Sequence, residues 1–220
     1  MQPETAFKFI NDTAVVVGMR GDFPPVTALH ITETLIDEGF NVFEFMMNST
    51  DPIAAMQAVK KQFGDHACVG MGTVLTLDDA KRVLDAGADF IVSPVFQPDI
   101  VEFVRDSDVL VAPGVITPTE ARDAWAMDVK LLKLFPIGAL GVDYFKAMFG
   151  PLKHMKFMCN GAITADNTHD FIKAGAVAAG IGGWLVGDGS WSETRLRSRA
   201  RILKNSVQLA RETIPADINA

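Results

Sequence analysis

The chain has 220 residues, 49% of them hydrophobic and 21% charged, with a formal net charge of -7 and a sequence pI near 5.0. That size and apolar content suffice for a single domain with a sizeable core and argue against disorder. An acidic surface lacks the cations that displace counterions from a phosphate backbone, which argues against nucleic acid as a partner. No apolar run reaches the roughly 20 residues that span a bilayer, so no membrane association is expected. The stretch from Met1 to Asn11 lacks the cationic start and apolar core of a signal peptide. Cys68 and Cys159 both sit inside apolar runs, as buried thiols of a reducing compartment do. The expectation is a cytoplasmic protein without a disulfide framework.

Along the chain, short β-type apolar runs alternate with helix-type stretches. The runs are Thr13 to Val17, Val42 to Phe45, Cys68 to Met71, Phe90 to Val92, Val109 to Val111, Val129 to Leu134, Lys156 to Cys159 and Ala176 to Ile181. Helix starts are marked most clearly at Thr117-Pro118-Thr119-Glu120, which offers a capping hydroxyl, a proline in the first turn and a carboxylate three residues after the cap. Asp51-Pro52 and Gln97-Pro98 repeat the proline part of that signal. Gly39, Gly87 and Gly175 each stand just before a strand, where a glycine can adopt the left-handed conformation that ends a helix.

Helical crossovers imply parallel pairing. Eight such units predict an α/β protein with a closed (β/α)8 (TIM) barrel, although an open doubly wound sheet uses the same alternation. An N-terminal helix precedes the first unit. A long C-terminal helix closes the chain, with Leu196, Ala200, Leu203, Val207, Ala210 and Ile214 as its apolar stripe. No linker-like segment interrupts residues 1–220, so one domain is expected.

Lys133 lies in the run Val129-Lys130-Leu131-Leu132-Lys133-Leu134-Phe135-Pro136. In a strand it shares a face with Val129 and Leu131 and projects from the carboxyl end. Inside a barrel mouth, desolvation would lower its pKa and leave free amine to attack a ketone. The alternative is a strand-end lysine reaching out to water. Glu44 stands in the middle of Val42-Phe43-Glu44-Phe45-Met46, on one face with Val42 and Met46. A carboxylate there needs a partner, and an ion pair with Lys133 or Arg20 is the structural reading. Facing each other in a mouth, the lysine and the acid would also be the nucleophile and proton carrier of imine chemistry.

Glycine-rich turns follow the third, seventh and eighth runs: Gly70-Met71-Gly72-Thr73, Asn160-Gly161-Ala162-Ile163-Thr164 and Gly180-Ile181-Gly182-Gly183-Trp184. Barrels often bind phosphate at the last two positions through backbone N–H groups. His30, His66, His154 and His169 are scattered without ligand spacing, so no metal is expected. Arg195, Arg197, Arg199 and Arg201 alternate around a helix and read as solvated surface.

Glu44, Gly70-Met71-Gly72-Thr73-Val74-Leu75, Ile91-Val92-Ser93-Pro94, Pro113-Gly114-Val115-Ile116-Thr117-Pro118 and Lys133-Leu134-Phe135-Pro136, in that order and spacing, resemble one family. It is the 2-dehydro-3-deoxy-phosphogluconate aldolase family, which includes the 4-hydroxy-2-oxoglutarate aldolases, and the likeness runs from about Val15 to Trp184. The resemblance implies a class I aldehyde-lyase that needs neither metal nor cofactor, on a homotrimeric barrel of carbohydrate metabolism. The residue matching Lys133 forms a Schiff base and the residue matching Glu44 moves protons. Thr73, Pro94 and Phe135 match positions that line the pyruvate pocket. Gly161, Ala162, Gly182 and Gly183 match the phosphate loops, where a serine hydroxyl common in the family is missing. Asn48 stands where an arginine usually pairs with the substrate carboxylate, and Asn160 where a threonine is usual. The implied reaction is cleavage of 2-dehydro-3-deoxy-6-phosphogluconate (KDPG), or a related 2-oxo-3-deoxy sugar acid phosphate, to pyruvate and an aldehyde. Alternatives are an aldolase for 4-hydroxy-2-oxoglutarate or another unphosphorylated 2-oxo acid, a phosphosugar isomerase or epimerase, and a sugar-acid binding protein without catalysis.

Overall fold

The computed structural model describes residues 1–213. Its strands are β1 (Val15–Met19), β2 (Val42–Met46), β3 (Cys68–Gly72), β4 (Phe90–Val92), β5 (Leu110–Ala112), β6 (Gly114–Val115), β7 (Leu132–Leu134), β8 (Phe157–Asn160) and β9 (Ala178–Ile181). The helices are α1 (Pro3–Thr13), α2 (Pro25–Asp37), α3 (Pro52–Phe63), α4 (Leu77–Asp85), α5 (Pro98–Asp106), α6 (Pro118–Trp125), α7 (Gly141–Phe149), α8 (Ala165–Lys173), α9 (Gly183–Val186) and α10 (Glu193–Glu212).

All the pairings are parallel, in the order β5-β4-β3-β2-β1-β9-β8-β7-β6. The two ends of that order, β5 and β6, flank Pro113, so they are two halves of one stave and the sheet is a nearly closed (β/α)8-type barrel. Eight strands were expected and nine are found because proline has no N–H to give to a ladder. Pairing continues past it through carbonyls: the Lys133 N–H donates to the Pro113 carbonyl at 2.9 Å and the Ser93 N–H to the Ala112 carbonyl at 3.2 Å. The fifth strand thus begins one residue later than the run Val109 to Val111 suggested.

The inner positions of the strands explain which end of the barrel is open. Toward the amino ends they are apolar: Val16, Val42, Cys68, Phe90, Leu110, Leu131, Met158 and Ala178 form one buried cluster, and Ala6 and Ile10 of α1 join it. The N-terminal helix therefore stoppers that end. Two residues further along six of those faces stand Gly18, Glu44, Gly70, Lys133, Asn160 and Gly180, polar or without a side chain, while β4 and β5 continue apolar with Val92 and Ala112. Polarity and empty space consequently collect at the carboxyl ends. Val129 does not share this inner face, as a strand starting there would require; it packs in the outer layer, because β7 begins only at Leu132.

Local signals in the sequence hold at several junctions. Thr117 and Glu120 form a reciprocal capping box at the start of α6. Gly39, Gly87 and Gly175 adopt φ of 96°, 87° and 112°. Pro52 and Pro98 do open helices, but Asp51 is left-handed and makes no side-chain cap. Cys68 and Cys159 are buried free thiols, and burial pushes both thiols up in pKa. On α10, Leu196, Ala200, Leu203, Val207 and Ala210 are buried as the stripe required, while Ile214 lies outside the described residues. The arginines of that helix are not simply solvated. Arg197 and Arg201 clasp Glu38, and Arg195 and Arg199 stack on tryptophans. Among the described residues, no helix is long and apolar enough to cross a membrane.

Candidate active site

At the carboxyl ends of the strands a cavity of about 440 Å³ opens, lined among others by Gly18, Arg20, Glu44, Lys133, Phe135 and Asn160. Lys133 enters it from β7, whose register places it beside Gly114 on one side and Met158 on the other. Its side chain is buried, and its ammonium forms no hydrogen bond or ion pair among the described residues; it stands 4.9 Å from the centroid of the Phe135 ring. Burial lowers its pKa, the charge of Arg20 lowers it further, and only Glu44 opposes the change. A lysine reaching out to water is ruled out by this burial.

Glu44 enters the same cavity from β2, between Gly18 of β1 and Gly70 of β3. Its Oε1 is buried without a hydrogen-bond partner. Burial raises its pKa above the usual carboxylate range, against the pull of Lys133 and Arg20. No ion pair joins it to either cation, so the structural reading, a closed salt bridge, is not realised. A buried acid with an unused oxygen and a poorly hydrated amine, opening on one space, form a pair of titratable groups whose environments favour the neutral form of each.

Glycines make this possible by leaving room. A Cβ on Gly72 would stand 1.8 Å from Glu44 Oε1, and one on Gly180 would stand 1.9 Å from the amide nitrogen of Asn160. Asn160, at the end of β8, is buried with its Oδ1 unpartnered. Two unpaired acceptors thus sit in one cavity, which is how a site looks when its ligand supplies the donors.

Of the residues singled out in the sequence, Lys133, Glu44, Phe135, Asn160, Gly161, Ala162, Gly182 and Gly183 come together here. Thr73 and Asn48 do not line this cavity; both line an adjacent one of about 450 Å³, with Asn48 exposed. Thr73 still reaches the site through a hydrogen bond that Arg20 Nη2 donates to its Oγ1, at 3.4 Å. Pro94 lines neither, but its carbonyl lies against Gly114, where a Cβ would approach to 2.3 Å. It therefore presses on the strand that pairs with Lys133.

Arg20 is the residue whose place in the site sequence reasoning missed. It entered only as a conceivable ion-pair partner for Glu44, since it lies beyond the apolar run of β1 and nothing local marks its direction. The register of β1 against β2 brings it to the rim beside Thr73. Trp184 was visible only as the residue that ends a glycine turn, and it too lines the cavity. Among the described residues no group of three or more His, Cys, Asp or Glu side chains is placed to hold a metal ion.

Comparison with known proteins gives a consistent neighbourhood. The family described as KDPG and KHG aldolase matches residues 23–198. A 2-dehydro-3-deoxy-6-phosphogalactonate aldolase of Escherichia coli (strain K12) is 30% identical over 187 residues, 84% of this chain and 91% of the relative. A 2-dehydro-3-deoxy-phosphogluconate aldolase of Haemophilus influenzae is 31% identical over 159 residues, 72% of this chain and 74% of the relative. A solved structure described as native KDPGal superposes with a TM-score of 0.84 at 28% identity, covering 90% of this chain and 96% of that one.

Proposed function

Because this chain belongs to the KDPG and KHG aldolase family, and is by that membership an aldolase, we propose that it cleaves a 2-oxo-3-deoxy sugar acid 6-phosphate through an imine on Lys133. The observation that carries this reading is the shared cavity of Lys133 and Glu44, each buried, each without a salt bridge, each with its charged form disfavoured.

The amine of Lys133, in its neutral form, attacks the C2 carbonyl of the substrate, and loss of water leaves a protonated imine. Glu44, directly or through a water, takes the proton of the C4 hydroxyl as the C3–C4 bond breaks. The bonding pair moves into the imine to give an enamine, and the aldehyde departs. Glu44 then returns its proton to C3, and hydrolysis frees pyruvate and restores the amine. A carboxyl held above its usual range by burial is a stronger base than an exposed one, which favours its taking up the C4 hydroxyl proton.

Arg20 is the group we assign to the substrate carboxylate. The neutral amide of Asn48 lacks the bidentate charged fork that such a contact wants, and it opens on the neighbouring space. Arg20 lines the Lys133 cavity, bonds only Thr73, and has no carboxylate partner among the described residues. Gly161, Ala162, Gly182 and Gly183 line the same cavity, and their backbone N–H groups can meet a phosphate. Galactonate and gluconate forms of the substrate differ in configuration at C4, and the relatives named above cover both. Asn160, with its free acceptor, stands in this cavity as the polar group available to a substrate hydroxyl. A homotrimer in the cytoplasm is the assembly and location this reading carries with it.

Incubation with pyruvate and borohydride, followed by peptide mapping, tests the assignment. A reduced adduct on Lys133 and its absence in Lys133→Ala, with helical circular dichroism retained, are expected; an adduct on another lysine, or none, overturns it. Turnover of the two C4 epimers, with and without the 6-phosphate, then fixes the substrate.

A further inference from the structure

The imine chemistry leaves unused one cationic feature that is joined to the site through Trp184. On α10, Arg195 and Arg199 are one turn apart, and each guanidinium lies over an indole. Arg195 stands 3.8 Å from the ring centroid of Trp191, and Arg199 stands 4.4 Å from that of Trp184 and 5.8 Å from that of Trp191. The side chains form a column in the order Arg195, Trp191, Arg199, Trp184, and its last member lines the Lys133 cavity beside Gly182 and Gly183. Trp191 is seated against Gly187, where a Cβ would come within 2.3 Å of the indole.

Among the described residues neither Arg195 nor Arg199 forms an ion pair. The contrast on the same helix is direct: Arg197 is neutralised by Asp37, Glu38 and Glu193, and Arg201 by Glu38. Stacking on an aromatic face fixes a long side chain without cancelling its charge. Arg199 is half-buried against two rings, so it is held in place and still presents a full positive charge. Trp184, on which it stacks, follows Gly182 and Gly183 in the chain and lines the cavity with them, and those glycines offer backbone donors and no cationic side chain of their own.

We propose that Arg199, held by its stack on Trp184, is a positioning residue that makes the glycine-rich rim electropositive and draws the phosphate end of the substrate to it. This role presupposes the phosphorylated sugar acid assigned above. Arg20 and Arg199 would then divide the substrate, one at the carboxylate end and one at the phosphate end. Charge at the rim acts over several ångströms in a partly dry cavity and is screened by salt, so its signature is a salt-sensitive preference for the doubly anionic substrate.

The test uses the synthetic direction, with pyruvate and either glyceraldehyde 3-phosphate or glyceraldehyde, in wild type, Arg199→Met and Arg199→Lys, each checked for its melting temperature. Arg199→Met should raise the KM for the phosphorylated aldehyde about tenfold more than the KM for the unphosphorylated one, and the excess should shrink with added salt. Arg199→Lys, which keeps the charge, should hold that discrimination within about threefold of wild type. Equal shifts for the two aldehydes, or none, overturn the proposal. A separate titration with inorganic phosphate, followed by tryptophan emission, needs no turnover. Weaker phosphate binding in Arg199→Met supports the charge role even if neither aldehyde reacts with wild type, an outcome that would defeat the aldolase substrate instead. Equal phosphate affinity in the two proteins overturns the charge role.

Discussion

The carboxylate of Glu44 occupies the space that a Cβ on Gly72 would need, with Oε1 only 1.8 Å from that point. The two residues are on adjacent strands, β2 and β3, where Met46 pairs with Gly72 and Glu44 with Gly70. The missing side chain on one strand is thus what allows an acid on the other to turn into the barrel rather than against its wall.

Gly72→Ala should therefore displace the carboxylate without unfolding the barrel, because the colliding atom is the far end of a flexible side chain. Displacement of a proton-transfer group by about an ångström costs on the order of a hundredfold in rate. We expect kcat for cleavage to fall by roughly that factor while pyruvate still leaves a borohydride-reduced adduct on Lys133. A normal kcat would show that Glu44 has no fixed position to lose.

Glu44 also gives the fold a pH dependence whose sign can be stated. Its folded pKa is raised, with burial as the first cause. Its contribution to stability is therefore full below the ordinary carboxylate value and is lost as pH rises through the folded value. Glu44→Gln removes that loss. The melting temperature of the variant, measured against wild type, should gain as pH goes from about 4 to about 8. A difference that is flat over this range, or that moves the other way, would contradict a carboxyl destabilised by burial.

Arg20→Gln tests the carboxylate contact. A charge-assisted pair in a partly dry site contributes enough that its loss should raise the KM for pyruvate about tenfold or more. The same substitution at Asn48, which is exposed beside a different cavity, should change the KM for pyruvate less than twofold by the same reasoning about distance and screening. The reverse ranking would return the carboxylate to Asn48.

A structural control lies at α6. Glu120 accepts from the N–H groups of Ile116 and Thr117 and from the Thr117 hydroxyl, while the Glu120 N–H donates to Thr117 Oγ1. Thr117→Ala should cost about 1 kcal/mol of stability, read from the denaturant midpoint at constant slope. A loss well under half of that would mean that the tertiary packing of α6, rather than its cap, sets its stability.

Much of this molecule follows from local order along the chain. The alternation of apolar runs and capped helices specified parallel staves, because each strand feeds a helix that must return it to the same side. An acid inside Val42 to Met46 and a lysine inside Leu131 to Leu134 were conspicuous for the same reason: a charge in a two-faced buried strand has no routine place. What the sequence alone could not decide was direction and distance. Pro113 divides a strand only because the ladder around it is already fixed by Lys133 and Ser93. Val129 and Leu131 looked equivalent by parity, yet only Leu131 faces inward, since the strand starts later than its apolar run. Asn48 and Arg20 are 28 positions apart, by subtraction of their numbers in the chain. Closure of the sheet sends the first outward and brings the second to the mouth, because side-chain direction at a strand end depends on twist and register, which are properties of the whole barrel rather than of any segment.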